Sequence, residues 1–100
     1  MFEIQFGEQG QVVVSGRLDA ANAEKALAFL NGIESHCEID MSGLEYISSA
    51  GLGVLLRTHK RLSQEGNGLH LINVNAHIRD IFSYSGFDKL FDIKAPGSGE

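Results

Sequence analysis

The apolar residues of this chain change their period along its length, and that change limits the folds open to it. Residues 2–6, FEIQF, alternate apolar and polar. Phe2, Ile4 and Phe6 share one side, the pattern of a strand with one wet face. GEQGQ (7–11) supplies a turn, and VVVSG (12–16) reads as a second, more buried strand, so the two form a hairpin. From Asp19 the spacing lengthens. Ala23, Ala26, Leu27, Leu30 and Ile33 fall three or four residues apart around one face, which predicts a helix capped by Asp19 or Asn22. CEIDM (37–41) alternates again as a third strand. Leu52, Leu55, Leu56, His59 and Leu62 return to helical spacing, predicting a second helix from about Ala50 to Gln64 that ends in EGNG. LHLIN (69–73) is a fourth strand and NAHIRDIFSYSG (75–86) a short third helix. KLFDI (89–93) reads as a last short strand, and KAPGSGE (94–100) as a disordered tail.

The resulting order is β-β-α-β-α-β-α-β. A hairpin followed by alternating helices and strands implies an α/β domain, with a mixed sheet, parallel crossovers and flanking helices. One domain is expected over 1–93 and a tail over 94–100. At 100 residues and 43% hydrophobic content the chain can bury a core of its own.

Charge removes several classes of function. The formal net charge is -5, and the eight Lys and Arg are scattered rather than gathered in a stripe. Neither a nucleic-acid reader nor a protein held on anionic lipid is expected from that distribution. No apolar run approaches the ~20 residues of a membrane span. The opening MFEIQFGEQG lacks the basic and apolar regions of a signal peptide. Cys37 is the single cysteine, so no internal disulfide can form. A cytoplasmic protein is the expectation.

The sequence offers no catalytic constellation. His36, His59, His70 and His77 fall on different elements without a shared spacing, and Cys37 has no second cysteine for a zinc site. At the start of a strand, Cys37 reads as a small core residue rather than a nucleophile. The segment Ile47-Ser48-Ser49-Ala50-Gly51 lacks the Gly-x-Ser-x-Gly of a nucleophile elbow. Gly51-Leu52-Gly53 is a fragment of a glycine-rich loop, but Leu56 stands where a dinucleotide motif has its third glycine and Gly-Lys-Ser/Thr is missing. These two glycines are better read as letting the first turn of the helix pack closely on neighbouring backbone. No enzyme activity, metal or cofactor is expected, with nucleotide binding at AGLG kept as a rival function.

The adjacent hydroxyls of Ser48 and Ser49 stand where a strand gives way to a helix. One can cap the helix by accepting from its free N–H groups. One can also be exposed at the helix start and accept a phosphoryl group, and the two roles are compatible. Loops after successive parallel strands gather at one end of a sheet. That geometry is expected to bring Asp19, Asp40 and Ser49 to a common rim, although each aspartate alone is as well explained as a turn cap.

Three segments in order, VVVSGRLDAANA, EIDMSGLEYISSAGLGVLL and LHLINVNAHIRDIFSYSGFDKLFDI, resemble the signature segments of STAS domains. The likeness runs from about residue 2 to 93 and is strongest to stand-alone bacterial anti-sigma factor antagonists. Its most specific part is Asp40-Met41-Ser42-Gly43 followed by Ser49-Ala50-Gly51-Leu52-Gly53. The resemblance implies a mixed sheet flanked by helices and a partner switch. Unphosphorylated, such a protein binds an anti-sigma factor that is also a serine kinase of the histidine-kinase-like ATPase fold. Phosphorylation of one serine at the start of the second helix dissolves the complex, and a PP2C-type phosphatase reverses it. On this chain the resemblance makes Ser49 the phosphoacceptor, with Ser48 as its rival. It also implies a partner-binding surface of Asp19, Asp40, Ser48, Ser49, Ala50, Gly51 and Leu52. Many members carry Asp before the acceptor and Ser or Thr after it, where this chain has Ser48 and Ala50. Many also carry a terminal helix for which nothing after Ile93 is suited. The alternative is a constitutive STAS scaffold subunit of a signalling or transport complex, in which the serine is only a helix cap.

Overall fold

A computed structural model describes residues 1–96. The strands are β1 (Phe2–Phe6), β2 (Val12–Leu18), β3 (Cys37–Ile47), β4 (Leu69–Ile72) and β5 (Asp92–Ile93). The helices are α1 (Ala23–Leu30), α2 (Ser49–Ser63) and α3 (Ala76–Ser85), followed by a 3-10 turn at Phe87–Lys89. The five strands form one sheet in the order β1-β2-β3-β4-β5. β1 and β2 pair antiparallel, and every later pair is parallel. Each parallel step moves to the adjacent strand through one helix. Because such crossovers share one hand, the helices stack on one face of the sheet.

Burial confirms the one-sided architecture. Val12, Val14 and Leu18 of β2, Cys37, Ile39 and Met41 of β3, and Leu69 and Leu71 of β4 are buried. The residues between them are half-buried or exposed, the period-2 signature of a sheet with one wet face. The helices close the core with Ala26 and Leu30 of α1, Leu52, Val54, Leu55 and Leu62 of α2, and Ile78 and Phe82 of α3.

Two elements depart from the sequence reading. β3 does not stop at Met41 but runs to Ile47, and β2 runs on to Leu18 beside it. Ser42-Gly43 reads locally as a loop, yet Gly43 pairs with Ser15 and the ladder resumes through Tyr46 opposite Arg17. Register shifts on β2 absorb the irregularity at Val13/Ser15 and Gly16/Arg17. Gly16 takes φ +86 there, and a Cβ on it would lie 1.8 Å from the Met1 carbonyl oxygen, so the position admits only glycine. β4 ends at Ile72, leaving the outer half of β3 without a partner strand on that side. Asn75 fills the gap. Its Oδ1 accepts from the Ile78 N–H and caps α3, while its Nδ2 donates to the Leu44 carbonyl of β3.

The expected strand 89–93 is shorter, because Gly86 ends α3 and the chain turns through Phe87–Lys89 before pairing only at Asp92–Ile93. Phe91 packs edge-on against Phe82, Phe87 and His59, which seals that end of the core. Of the expected tail, Lys94 donates its N–H to the Leu71 carbonyl and accepts from the Val74 N–H, prolonging the sheet edge. Residues 97–100 of that tail lie outside the described residues.

Candidate functional site: the rim at the start of the second helix

β2 and β3 end together, Leu18 opposite Ile47, and the Ser48 N–H donates to the Leu18 carbonyl at 2.9 Å. This bond ties the end of β2 to the entry of α2. It brings Asp19, the residue after β2, to the same rim as Ser48 and Ser49. Asn22 takes the N-cap position of α1 without capping it through its side chain. Its Nδ2 instead donates to Asp19 Oδ1 at 3.0 Å and to the Arg17 carbonyl at 3.1 Å, which holds the Asp19 carboxylate in place.

The two serines have separate tasks. Ser48 is the N-cap, with φ -93 and ψ 175, and its Oγ accepts from the Gly51 N–H at 3.3 Å. Ser49 is the first helical residue and is exposed. Among the described residues its hydroxyl has no hydrogen-bond partner. The first turn of α2 carries no acid, whereas its last turn carries Lys60 and Arg61. Negative charge arriving at Ser49 therefore meets the positive end of the helix dipole without a carboxylate on that turn.

The other expected contact residues divide by burial. Ala50 is half-buried beside Ser49. Gly51 and Leu52 turn inward instead. A Cβ on Gly51 would sit 2.7 Å from the Leu18 carbonyl oxygen and 2.8 Å from Ile47 Cγ1, and the Leu52 side chain is in the core at 7% exposure. Both pack inward at the rim and seat the helix on the sheet. Asp40 does not reach the rim at all. It lies within β3, paired to Val13 and Ile72, and its Oδ1 accepts from the Ser42 N–H. β3 continues seven residues beyond it to Ile47, on the order of 20 Å of chain at ~3.3 Å per residue. The rim brings together Asp19, Ser48, Ser49 and Ala50, and leaves Asp40 behind.

The second glycine also departs from the sequence reading. Gly53 was expected to pack closely like Gly51, yet a Cβ on it would meet nothing within 4 Å. Asn22, expected as a helix cap, braces Asp19 instead, whereas Asn75 escaped that reading because the Leu44 carbonyl it bonds lies 31 residues earlier in the chain. Its only sequence signal was a position just before a helical run.

Elsewhere, the Cys37 thiol is pushed up to about 11, first by burial and then by the neighbouring Glu38 carboxylate. It is a protonated core group at neutral pH. His70 pairs with Asp92 at 2.9 Å beside the His36 ring, whereas His59 packs edge-on against Phe91. Among the described residues no three His, Cys, Asp or Glu side chains gather where a metal ion could be held. No helix among them is long and apolar enough to cross a membrane.

A one-sided mixed sheet with the serine pair at the β3–α2 junction defines the class. The profile of the family described as Mlab, STAS domain matches residues 3–92, and the chain belongs to the STAS domain family. Within it the chain is 37% identical over 84 residues to BtrV of Bordetella bronchiseptica, an anti-sigma factor antagonist by name, covering 80% of this chain and 72% of that protein. Its fold matches the crystal structure of a Thermotoga maritima protein, also an anti-sigma factor antagonist by name, with a TM-score of 0.78, 23% identity, and 98% and 89% of the two chains covered. It matches the phosphorylated form of the Bacillus cell-fate determinant SpoIIAA with a TM-score of 0.67 and 21% identity, over 97% and 93% of the chains.

Proposed function

We propose that this chain is an anti-sigma factor antagonist working as a phosphorylation-controlled partner switch. In its unphosphorylated form it binds an anti-sigma factor that is also a serine kinase of the histidine-kinase-like ATPase fold. That kinase phosphorylates Ser49 and lets go, and a PP2C-type phosphatase restores the binding form. The observation that carries this reading is the division between the serines: Ser48 spends its hydroxyl on the cap, while Ser49 offers an exposed one at the same turn. The names of the relatives support it, as does the existence of SpoIIAA in a phosphorylated form.

The energetics suit a switch. A phosphoserine adds roughly -1.5 to -2 charges and three acceptor oxygens. The helix N-terminus tolerates that charge within the monomer. A partner surface closed over Ser49 has to desolvate it, and an unpaired buried charge costs about 3–5 kcal/mol. Each ~1.4 kcal/mol is tenfold in affinity, so one phosphate suffices to end binding.

The test is affinity capture from the native host's lysate with wild type, Ser49→Asp and Ser49→Ala as baits, joined to phosphopeptide mapping. Wild type and Ser49→Ala are expected to retain an ATPase-type serine kinase, Ser49→Asp to lose it, and the phosphate to map to Ser49. Retention of the same partners by all three baits would favour the constitutive scaffold instead.

A further inference from the structure

β1 is an outer strand of the sheet, and among the described residues no strand lies beyond it. Its pairing with β2 fixes which of its backbone groups are spent. The Arg17 N–H donates to the Met1 carbonyl and the Gly7 N–H to the Gln11 carbonyl, at the two ends of the ladder. Hydrogen-bonded pairs alternate in an antiparallel ladder, so Glu3 and Gln5, opposite Ser15 and Val13, turn their backbone groups to β2 in the same phase. Phe2, Ile4 and Phe6 turn theirs outward. Of these, the Phe2 carbonyl accepts from Lys25 Nζ at 3.4 Å, which leaves its second lone pair open. Proline and a bulge, two common devices against edge pairing, are absent from β1, and Lys25 guards only its Phe2 end. The side chains match the backbone phase. Phe2-Glu3-Ile4-Gln5-Phe6 reads nearly the same in both directions. Phe2 is buried and Ile4 packs on the core, whereas Phe6 is 59% exposed and meets only the Phe29 ring, 4.9 Å away between centroids, among aromatic neighbours.

We infer that β1 pairs antiparallel with β1 of a second copy of this chain about a two-fold axis at Ile4, joining the two sheets into one. In that register Ile4 faces Ile4 of the second copy and Phe2 faces its Phe6. The residues whose N–H and C=O groups point outward are then the ones that exchange bonds. A slip of one residue sets those groups against groups already spent on β2 and turns the apolar row to the wrong face. The same register places Glu3 opposite Gln5 of the second copy on the wet face, so no two carboxylates meet. Phe6, exposed in the single chain, gains Phe2 of the second copy as its cross-strand neighbour. The contact is self-complementary and closes at two chains. It does not depend on the partner-switch reading.

The experiment compares purified wild type, Gln5→Glu, Gln5→Lys and Gln64→Glu by analytical ultracentrifugation over a concentration series reaching about 1 mM, with thermal melting of each. Gln5 and Gln64 are exposed, so all variants are expected to fold. Wild type is expected to dimerise reversibly. Gln5→Glu sets carboxylates face to face in the pair and is expected to weaken the dimer about tenfold or more. Gln5→Lys sets an ammonium opposite Glu3 and is expected to tighten it, most at low salt. Gln64→Glu adds the same charge at the end of α2 and is expected to leave the dimer within about twofold of wild type. Amide exchange supplies a second readout. The Ile4 and Phe6 N–H groups are expected to become protected as concentration rises, whereas those of Glu3 and Gln5 are protected throughout. A wild type that stays monomeric to the top of the series overturns the pairing. So does a dimer whose constant neither Gln5 variant moves, or one that forms without protecting Ile4 and Phe6.

Discussion

Two faces of the same few residues at the start of α2 are built for different ends. On the inward face, Ser48 closes the helix, Gly51 lets it lie against the Leu18 carbonyl, and Leu52 enters the core. On the outward face, Ser49, Ala50 and Gly53 leave a free hydroxyl and an open groove with little contact to the rest of the fold. The same residue types, serine and glycine, occur on both. Chemistry alone does not separate them; orientation about the helix axis does. The inward set fixes where the helix starts, and the outward set inherits that position at no further structural cost. A change on one face should register in stability and a change on the other in binding.

The sharpest way to break this contrast is Gly51→Val. The new side chain meets a backbone oxygen that cannot rotate away, so α2 must lift from the sheet. Overpacking of this kind costs about 1–3 kcal/mol and occasionally more. A β-branched residue in a domain of this size should therefore lower Tm by on the order of 10 °C. Calorimetry or circular dichroism checks it. A Tm equal to wild type would mean that the helix has slack at this contact and that its inward face does not fix its position. Ser48→Ala comes next. It removes the acceptor for the Gly51 N–H, and loss of such a cap costs ~1 kcal/mol. Urea unfolding should show that loss as a lower midpoint at unchanged slope.

The contrast also explains what could be read from the sequence. The element order and the buried stripes of α1, α2 and α3 follow from local periodicity, since each helix had only to bury its own apolar side. The extent of β3 did not follow. Ser42-Gly43 carries a loop signal that is overruled by β2, whose Ser15 pairs with Gly43 from 28 residues earlier in the chain, and that pairing is what moves Asp40 away from the rim. The serine pair was legible as a candidate site but the cap was not assignable, because capping depends on which hydroxyl meets the Gly51 N–H. The glycine pair misled for the same reason: Gly51 and Gly53 are indistinguishable until Leu18 is placed beside one of them.

The outward face yields smaller effects, of opposite sign. Gly53→Ala adds a methyl into open space and removes the backbone entropy cost of glycine in a helix, which is worth roughly 0.5–1 kcal/mol of added stability. The gain should appear as a Tm higher by a few degrees. A loss instead would show that the space beside Gly53 is filled in the isolated chain.

Ser49→Ala is expected to change stability least and carries the contrast to its limit. The residue is exposed at the first helical position, its hydroxyl has no partner among the described residues, and alanine is the better helix former. Stability should stay within ~0.5 kcal/mol of wild type, the ordinary range for a surface substitution. Measured beside Ser48→Ala in the same urea titration, it isolates the cap. The substitutions are chemically identical and one residue apart, so only orientation distinguishes them. Equal losses from both would mean that the hydroxyls share the cap, and that phosphorylating Ser49 would also disturb the start of α2. A loss confined to Ser48→Ala leaves Ser49 free to carry a phosphate without disturbing the helix that presents it.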